Sequence, residues 1–179
     1  KRQYQRRPGS LYCGLYAIQH VLNNVDDVKQ SDLDELSHHV VDGIELSAEE
    51  KQMITRQDHV DANGNYSMDT LCKALENNGY VTSRYHHSRP NVMLLQDANV
   101  FGIIANRSRS HWFAFRRVGD QWEECDSLTS GPFPMRTSQE VSTRTFEAYI
   151  AVIRPTPLPD WVNQSQRLAQ LFEMVKRNQ

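Results

Sequence analysis

The sequence predicts an α+β protein in which helices precede an antiparallel sheet, and three observations carry that expectation. Capped segments with helical periodicity fill the first half of the chain. The second half breaks into short runs rich in β-branched and aromatic residues. Between two of those runs stands Gly119-Asp120, a tight-turn dipeptide that marks a hairpin. Helices followed by strands form the segregated order of an α+β domain, not the alternation of a parallel α/β one.

The elements follow in order. Leu15, Tyr16, Ile18, Val21 and Leu22 make Cys13 to Asn24 a mostly buried helix, with no proline and one early glycine. Ser31 reads as the N-cap of a second helix running to about Val41, with Asp32, Asp34 and Glu35 favoured by the positive end of its dipole. Ser47 and Glu50 stand at capping-box spacing and predict a third helix of about ten residues. Gly43-Ile44-Glu45-Leu46 joins it to the second. Ser67 caps a helix through Met68, Leu71, Cys72 and Leu75, which Gly79 ends. Strands are expected at Val100–Ala105, Trp112–Val118, Gln121–Cys125 and Tyr149–Ile153. Pro155, Pro157 and Pro159 punctuate a linker to a last helix from Trp161 to about Lys176, with Leu168, Leu171, Phe172 and Val175 on one face.

The 179 residues make one domain, 1–179, long enough to bury a full core. The opening on Lys1 reads as an excised domain. Twenty basic against 22 acidic residues leave a net charge of -2, which argues against a dedicated nucleic-acid binder despite the basic start KRQYQRR. No apolar run reaches the length of a membrane span, and GSLYCGLYAI lacks the features of a secretory signal. A soluble protein is expected. Cys13, Cys72 and Cys125 lie far apart without CxxC spacing, so neither a disulfide framework nor a zinc site is expected, and a reducing compartment is the simpler assumption.

Cys13 begins the first helix and is followed by Gly14. A helix N-terminus favours the thiolate, and a glycine lets backbone amides approach an oxyanion. Alone, Cys13 would read as a small buried residue. However, His111 opens HWFAFRRV and Asp126 closes QWEECDS. With a two-residue turn at Gly119-Asp120, Val118 pairs with Gln121 and Phe113 with Asp126. His111 then projects from the same face as Asp126, diagonally placed at roughly 7 Å along the backbone. The carboxylate can take one imidazole nitrogen and leave the other to the thiol. Other candidates are bland: His38-His39 and His86-His87 as surface pairs, His20 as structural, Glu123-Glu124 as a solvated strand edge. Cys72 falls in its helix's core stripe, and Cys125 alternates away from Asp126.

At these residues the chain resembles the Josephin family of deubiquitinases. IQHVLNN (18–24) is similar to the family's first-helix motif, and QSDLDELSHHV to the helix after it. NGNYSMDTLCKALENNGY resembles its next block. The fullest match is HWFAFRRVGDQWEECDSLTSGP (111–132), where His111 and Asp126 take the positions of the base and its orienter. The resemblance implies a papain-like cysteine protease fold, with a helical hairpin over 31–57 packed on the sheet. It implies hydrolysis of ubiquitin conjugates or chains through an acyl-enzyme on cysteine, without metal or cofactor, by a monomer whose partner is ubiquitin or polyubiquitin. Ile44, Leu46 and Trp112 are the expected substrate contacts, and the cytoplasm or nucleus the expected location, or the host cytosol for a pathogen effector.

The nucleophile end departs from the family pattern. Aligned through LNN without a gap, the family cysteine falls on Ala17, whereas a helix beginning one turn earlier makes Cys13-Gly14 the nucleophile elbow. Cys13 is the preferred register. The family's oxyanion glutamine falls on Pro8 or Tyr12, neither able to donate a side-chain amide, and Gln5 is the nearest substitute. Two further readings stay open: an inactive ubiquitin-binding module, which Ala17 would explain, and a papain-fold protease for another ubiquitin-like modifier.

Overall fold

A computed structural model describes residues 12–42, 66–108 and 111–155, without the side chains of 38–42. The expected helix from Ser47, the linker at 43–46, Pro157, Pro159 and the helix from Trp161 lie outside the described residues.

Among the described residues, three helices come before the sheet. α1, Cys13–Leu22, closes on Asn23 in the left-handed region (φ 54°), whose N–H returns to the Gln19 and His20 carbonyls. α2, Gln30–Asp42, begins one residue before the expected cap at Ser31. Its start is fixed instead by Asp32, whose carboxylate accepts the Lys29 N–H at 2.7 Å, the backward reach of a third-position acid. α3, Met68–Asn77, is capped by the Ser67 hydroxyl, which accepts from the Thr70 N–H. Gly79 follows at φ +86°, as expected for a helix stop.

The described strands form one six-stranded sheet. Its strands are β1 (Val81–Ser88), β2 (Val100–Arg107), β3 (His111–Val118), β4 (Gln121–Cys125), β5 (Met135–Arg136) and β6 (Phe146–Ile153), in the order β1-β6-β2-β3-β4-β5. Every neighbouring pair is antiparallel. Two short helices, α4 (Val92–Gln96) and α5 (Ser138–Ser142), lie between strands, and Thr137 with Glu140 forms a capping box for α5.

The sheet separates two apolar layers by the two-residue alternation of its side chains. On one face Ile104, Trp112, Ala114, Cys125 and Ile150 pack with Ile18 and Val21 of α1 and Leu71 and Leu75 of α3. On the other, Ile103, Phe113, Phe115, Trp122 and Tyr149 pack with Leu95 of α4 and Val141 of α5. Covered on both sides, β2 reads as a nearly unbroken apolar run. Fully burying a side chain such as Leu71 or Ile104 contributes roughly 2 kcal/mol before entropy is counted. At Gly102 the backbone of β2 passes so close to Val21 that a Cβ could not fit.

Two expectations need correction. Val81–Ser88 is an edge strand that the sequence reading did not place, because its charged and polar residues hide the alternation. Glu123 and Glu124 are not a solvated edge, since β4 lies inside the sheet between β3 and β5. Glu123 pairs with Arg116, and Glu124 is held by Arg136 and Arg144, each at 2.8 Å.

Candidate active site

Cys13 is the first residue of α1, at the helix end that rests on β3. Its Sγ accepts the backbone N–H of Trp112 at 3.5 Å. Gly14 packs closely there: a Cβ would stand 3.1 Å from Leu71 Cδ2 and 3.5 Å from Trp112 Cδ1, so a side chain at 14 would require Leu71 to give by a few tenths of an ångström. The structure shows this glycine in close approach to neighbouring side chains.

The β3–β4 hairpin has the register expected from its turn: Val118 pairs with Gln121 and Ala114 with Cys125, with Gly119 at φ +65°. Asp126 follows one residue later and meets His111, with Nε2 and Oδ1 2.7 Å apart. The same oxygen accepts the Leu128 N–H at 2.9 Å, and Oδ2 accepts from Arg107 at 2.8 Å. With Nε2 committed to the carboxylate, Nδ1 is the ring nitrogen left for Cys13, whose thiol is near enough to help raise the imidazole.

Burial opposes charging of the imidazole, but the bonds to Asp126 and Cys13 outweigh it and raise His111 from 6.5 to about 9. Burial likewise opposes ionisation of Asp126. The His111 bond, the Leu128 amide and the Arg107 charge prevail, holding its carboxyl below the usual range. The charge state favoured at neutral pH is therefore carboxylate beside imidazolium. A thiolate that faces such an imidazolium can attack a carbonyl, and the imidazolium can then protonate a leaving amine.

The other expected residues fall as follows. Ala17 is buried one turn further along α1, and the partner of His111 is Cys13. Trp112, expected to touch substrate, is instead buried, and its indole N–H donates to the Tyr66 carbonyl at 3.0 Å. Its contribution at the site is the backbone N–H beneath the sulfur. Ile44, Leu46, Gln5 and Pro8 lie outside the described residues, and Tyr12 is half-buried, edge-on to Tyr16. Cys72 is buried, which pushes its thiol pKa up, and the Cys125 thiol donates to the Glu123 carbonyl at 3.5 Å. His20 is a buried residue packed edge-on against Phe133, and burial, followed by the Arg116 charge, lowers it to about 4. His86 and His87 are exposed. Among the described residues no group of three or more His, Cys, Asp or Glu is placed to hold a metal ion, and no helix is long and apolar enough to cross a membrane.

Arg107 was missed from the sequence. Its place depends on the Arg107–His111 pairing across β2 and β3, and NRSRSHWF contains two arginines at a loop of unmarked length.

The Josephin family model matches residues 9–147 of the chain. Among solved structures, the chain is similar to a double glycine motif protease from an AMS/PCAT transporter, in complex with its leader peptide. The identity is 13%, over 87% of this chain and 91% of that one, with a TM-score of 0.47. It is also similar to the peptidase domain of Streptococcus ComA, a bi-functional ABC transporter involved in a quorum sensing pathway, at 13% identity over 87% of this chain and 98% of that one, TM-score 0.40. The Streptococcus mutans ComA peptidase domain is 14% identical over 85% and 98% of the two chains, with a TM-score of 0.41.

Proposed function

The chain belongs to the Josephin family, and from that premise we propose that it is a papain-like thiol hydrolase that releases ubiquitin from proteins or chains. The observation that carries this reading is the gathering of Asp126, His111 and Cys13 at one place, with His111 bonded to Asp126 at 2.7 Å and Cys13 near enough to help raise the imidazole, all within the matched residues. Cys13 is the nucleophile. It attacks the carbonyl carbon of the modifier's C-terminal glycine while its proton rests on His111. The tetrahedral intermediate collapses as the imidazolium protonates the leaving amine, giving a thioester. Water, deprotonated by His111, then attacks the thioester, and the modifier leaves as a free carboxylate while the thiol regains its proton. Asp126 keeps the ring in the rotation and tautomer that both halves need. Three side chains and water complete the cycle, and the three cysteines, all free thiols, suit the reducing cytoplasm or nucleus.

A ubiquitin carrying an electrophile at its C-terminus tests the reading directly. Covalent labelling, mapped to Cys13 by peptide mass spectrometry, is expected. Non-covalent binding without labelling would make the chain a ubiquitin-binding module. Labelling only by the equivalent probe of another ubiquitin-like modifier would keep the chemistry and replace the substrate.

A further inference from the structure

The Asp126 carboxylate is buried and accepts three donors on two oxygens. Oδ1 serves His111 and the Leu128 amide, and Oδ2 serves Arg107 alone. A carboxylate rotates readily about its terminal torsion, so with Oδ2 unengaged the oxygen plane would be held through Oδ1 alone, and the charged, unsatisfied Oδ2 would be free to compete for the same donors. Arg107 is itself held in place. It faces His111 across β2 and β3, and its guanidinium lies over the Phe113 ring, 5.2 Å from the centroid. The Phe113 ring runs nearly parallel to His111, 5° from coplanar, on the same face of β3.

We propose that Arg107 is a positioning residue for the reaction, fixing Asp126 through Oδ2 so that Oδ1 stays on the His111 ring. It touches neither the thiol nor the ring, and it acts through the carboxylate. The inference rests on the hydrolase reading above, but it concerns the geometry of the site and not the identity of the modifier.

A specific dependence follows. Arg107 matters because residue 126 carries a charge and two equivalent acceptor oxygens. An asparagine there has one acceptor, which its contacts to His111 and Leu128 already orient, and its NH2 would face the guanidinium and send the half-exposed Arg107 side chain out to solvent. The effect of removing Arg107 should therefore vanish when Asp126 is replaced by Asn.

The test is a cycle of four proteins: the parent, Arg107→Met, Asp126→Asn and the double variant. Each is measured for kcat and KM on a ubiquitin fluorogenic substrate and for the rate of Cys13 alkylation by iodoacetamide. Arg107→Met should lower kcat and the alkylation rate about tenfold with KM unchanged, a size typical of directly coupled side chains. In the Asp126→Asn background the same change should have less than a twofold effect, and Arg107→Lys should recover part of the loss. Equal losses in both backgrounds, a loss confined to KM, or no loss in the parent would overturn the proposal. Should Arg107→Met not fold, Arg107→Lys and Arg107→Gln carry the same comparison. A parent that alkylates rapidly yet leaves ubiquitin uncleaved would defeat the substrate reading while the alkylation cycle still decides the role of Arg107.

Discussion

Gly102 of β2 lies directly under Val21 of α1, with no room between them for a Cβ. The contact sets how deeply the C-terminal half of α1 sinks onto the sheet, and Cys13 stands at the other end of the same helix. Gly102→Ala should destabilise the protein by roughly 1–3 kcal/mol, the usual cost of overpacking. It should also slow turnover by tilting the thiol away from His111. Val21→Ala in the same chain should restore much of the stability, because it opens the space the new methyl needs. Urea unfolding and substrate kinetics on the three variants measure both effects, and a neutral Gly102→Ala would mean that α1 is not pinned here.

Cys13→Ala should remove probe labelling and hydrolysis. Cys72→Ala and Cys125→Ala should keep both and lose about 1 kcal/mol of stability, the usual size for trimming a small buried group. Adding Ala17→Cys to the Cys13→Ala chain should not restore activity, because position 17 is buried a full turn beyond the residue that His111 meets. Recovery of labelling in that double variant would move the nucleophile to 17.

His111 is raised from 6.5 to about 9, so the folded protein holds this proton more tightly than the unfolded chain does. Its contribution to stability is complete below about 6.5 and is lost as pH climbs through about 9. Urea midpoints should fall across that window, and His111→Ala should flatten the fall. Turnover should fall along an alkaline limb near the same value. Asp126→Ala, which removes the strongest partner raising this group, should shift that limb to lower pH and lower the rate by at least about tenfold. Asp126→Asn should retain more activity, since its amide oxygen can still accept from Nε2. An alkaline limb unmoved in Asp126→Ala would separate the limb from His111.

His20 behaves in the opposite sense. Burial and then Arg116 lower it from 6.5 to about 4, so the unfolded chain binds the proton more tightly. Stability should therefore drain away as pH falls from about 6.5 toward 4. His20→Leu should remove that slope while leaving the substrate rate at neutral pH within about twofold, because the ring packs on Phe133 away from the thiol. An unchanged acid slope in His20→Leu would assign the loss to other groups.

The hairpin that joins His111 to Asp126 was legible because a Gly-Asp turn fixes its register, and register decides which side chains share a face. α1 and α3 were legible for similar reasons, through an apolar stripe and a serine cap. β1 was hidden because an edge strand presents polar residues to water and needs no strict alternation. β5 has two residues, too few for any periodic signal. The pairing of Glu124 with both Arg136 and Arg144 joins β4 to β5 and to the loop after α5, so no local pattern could foretell it. Trp112 was expected at the substrate, whereas its indole is buried and donates to the Tyr66 carbonyl.

The Trp112 amide that meets the Cys13 sulfur is 99 residues further along the chain. A protease assembled from such distant parts cannot act during its own synthesis until nearly the whole sheet has emerged. While the ribosome has produced only the helices, the thiol has no base and cannot cleave its surroundings. Contacts of this span also form late and slowly in folding, after the local helices are in place. Onset of thiol reactivity in a stalled nascent chain would thus report completion of the β3–β4 hairpin, making the enzyme a clock for its own maturation.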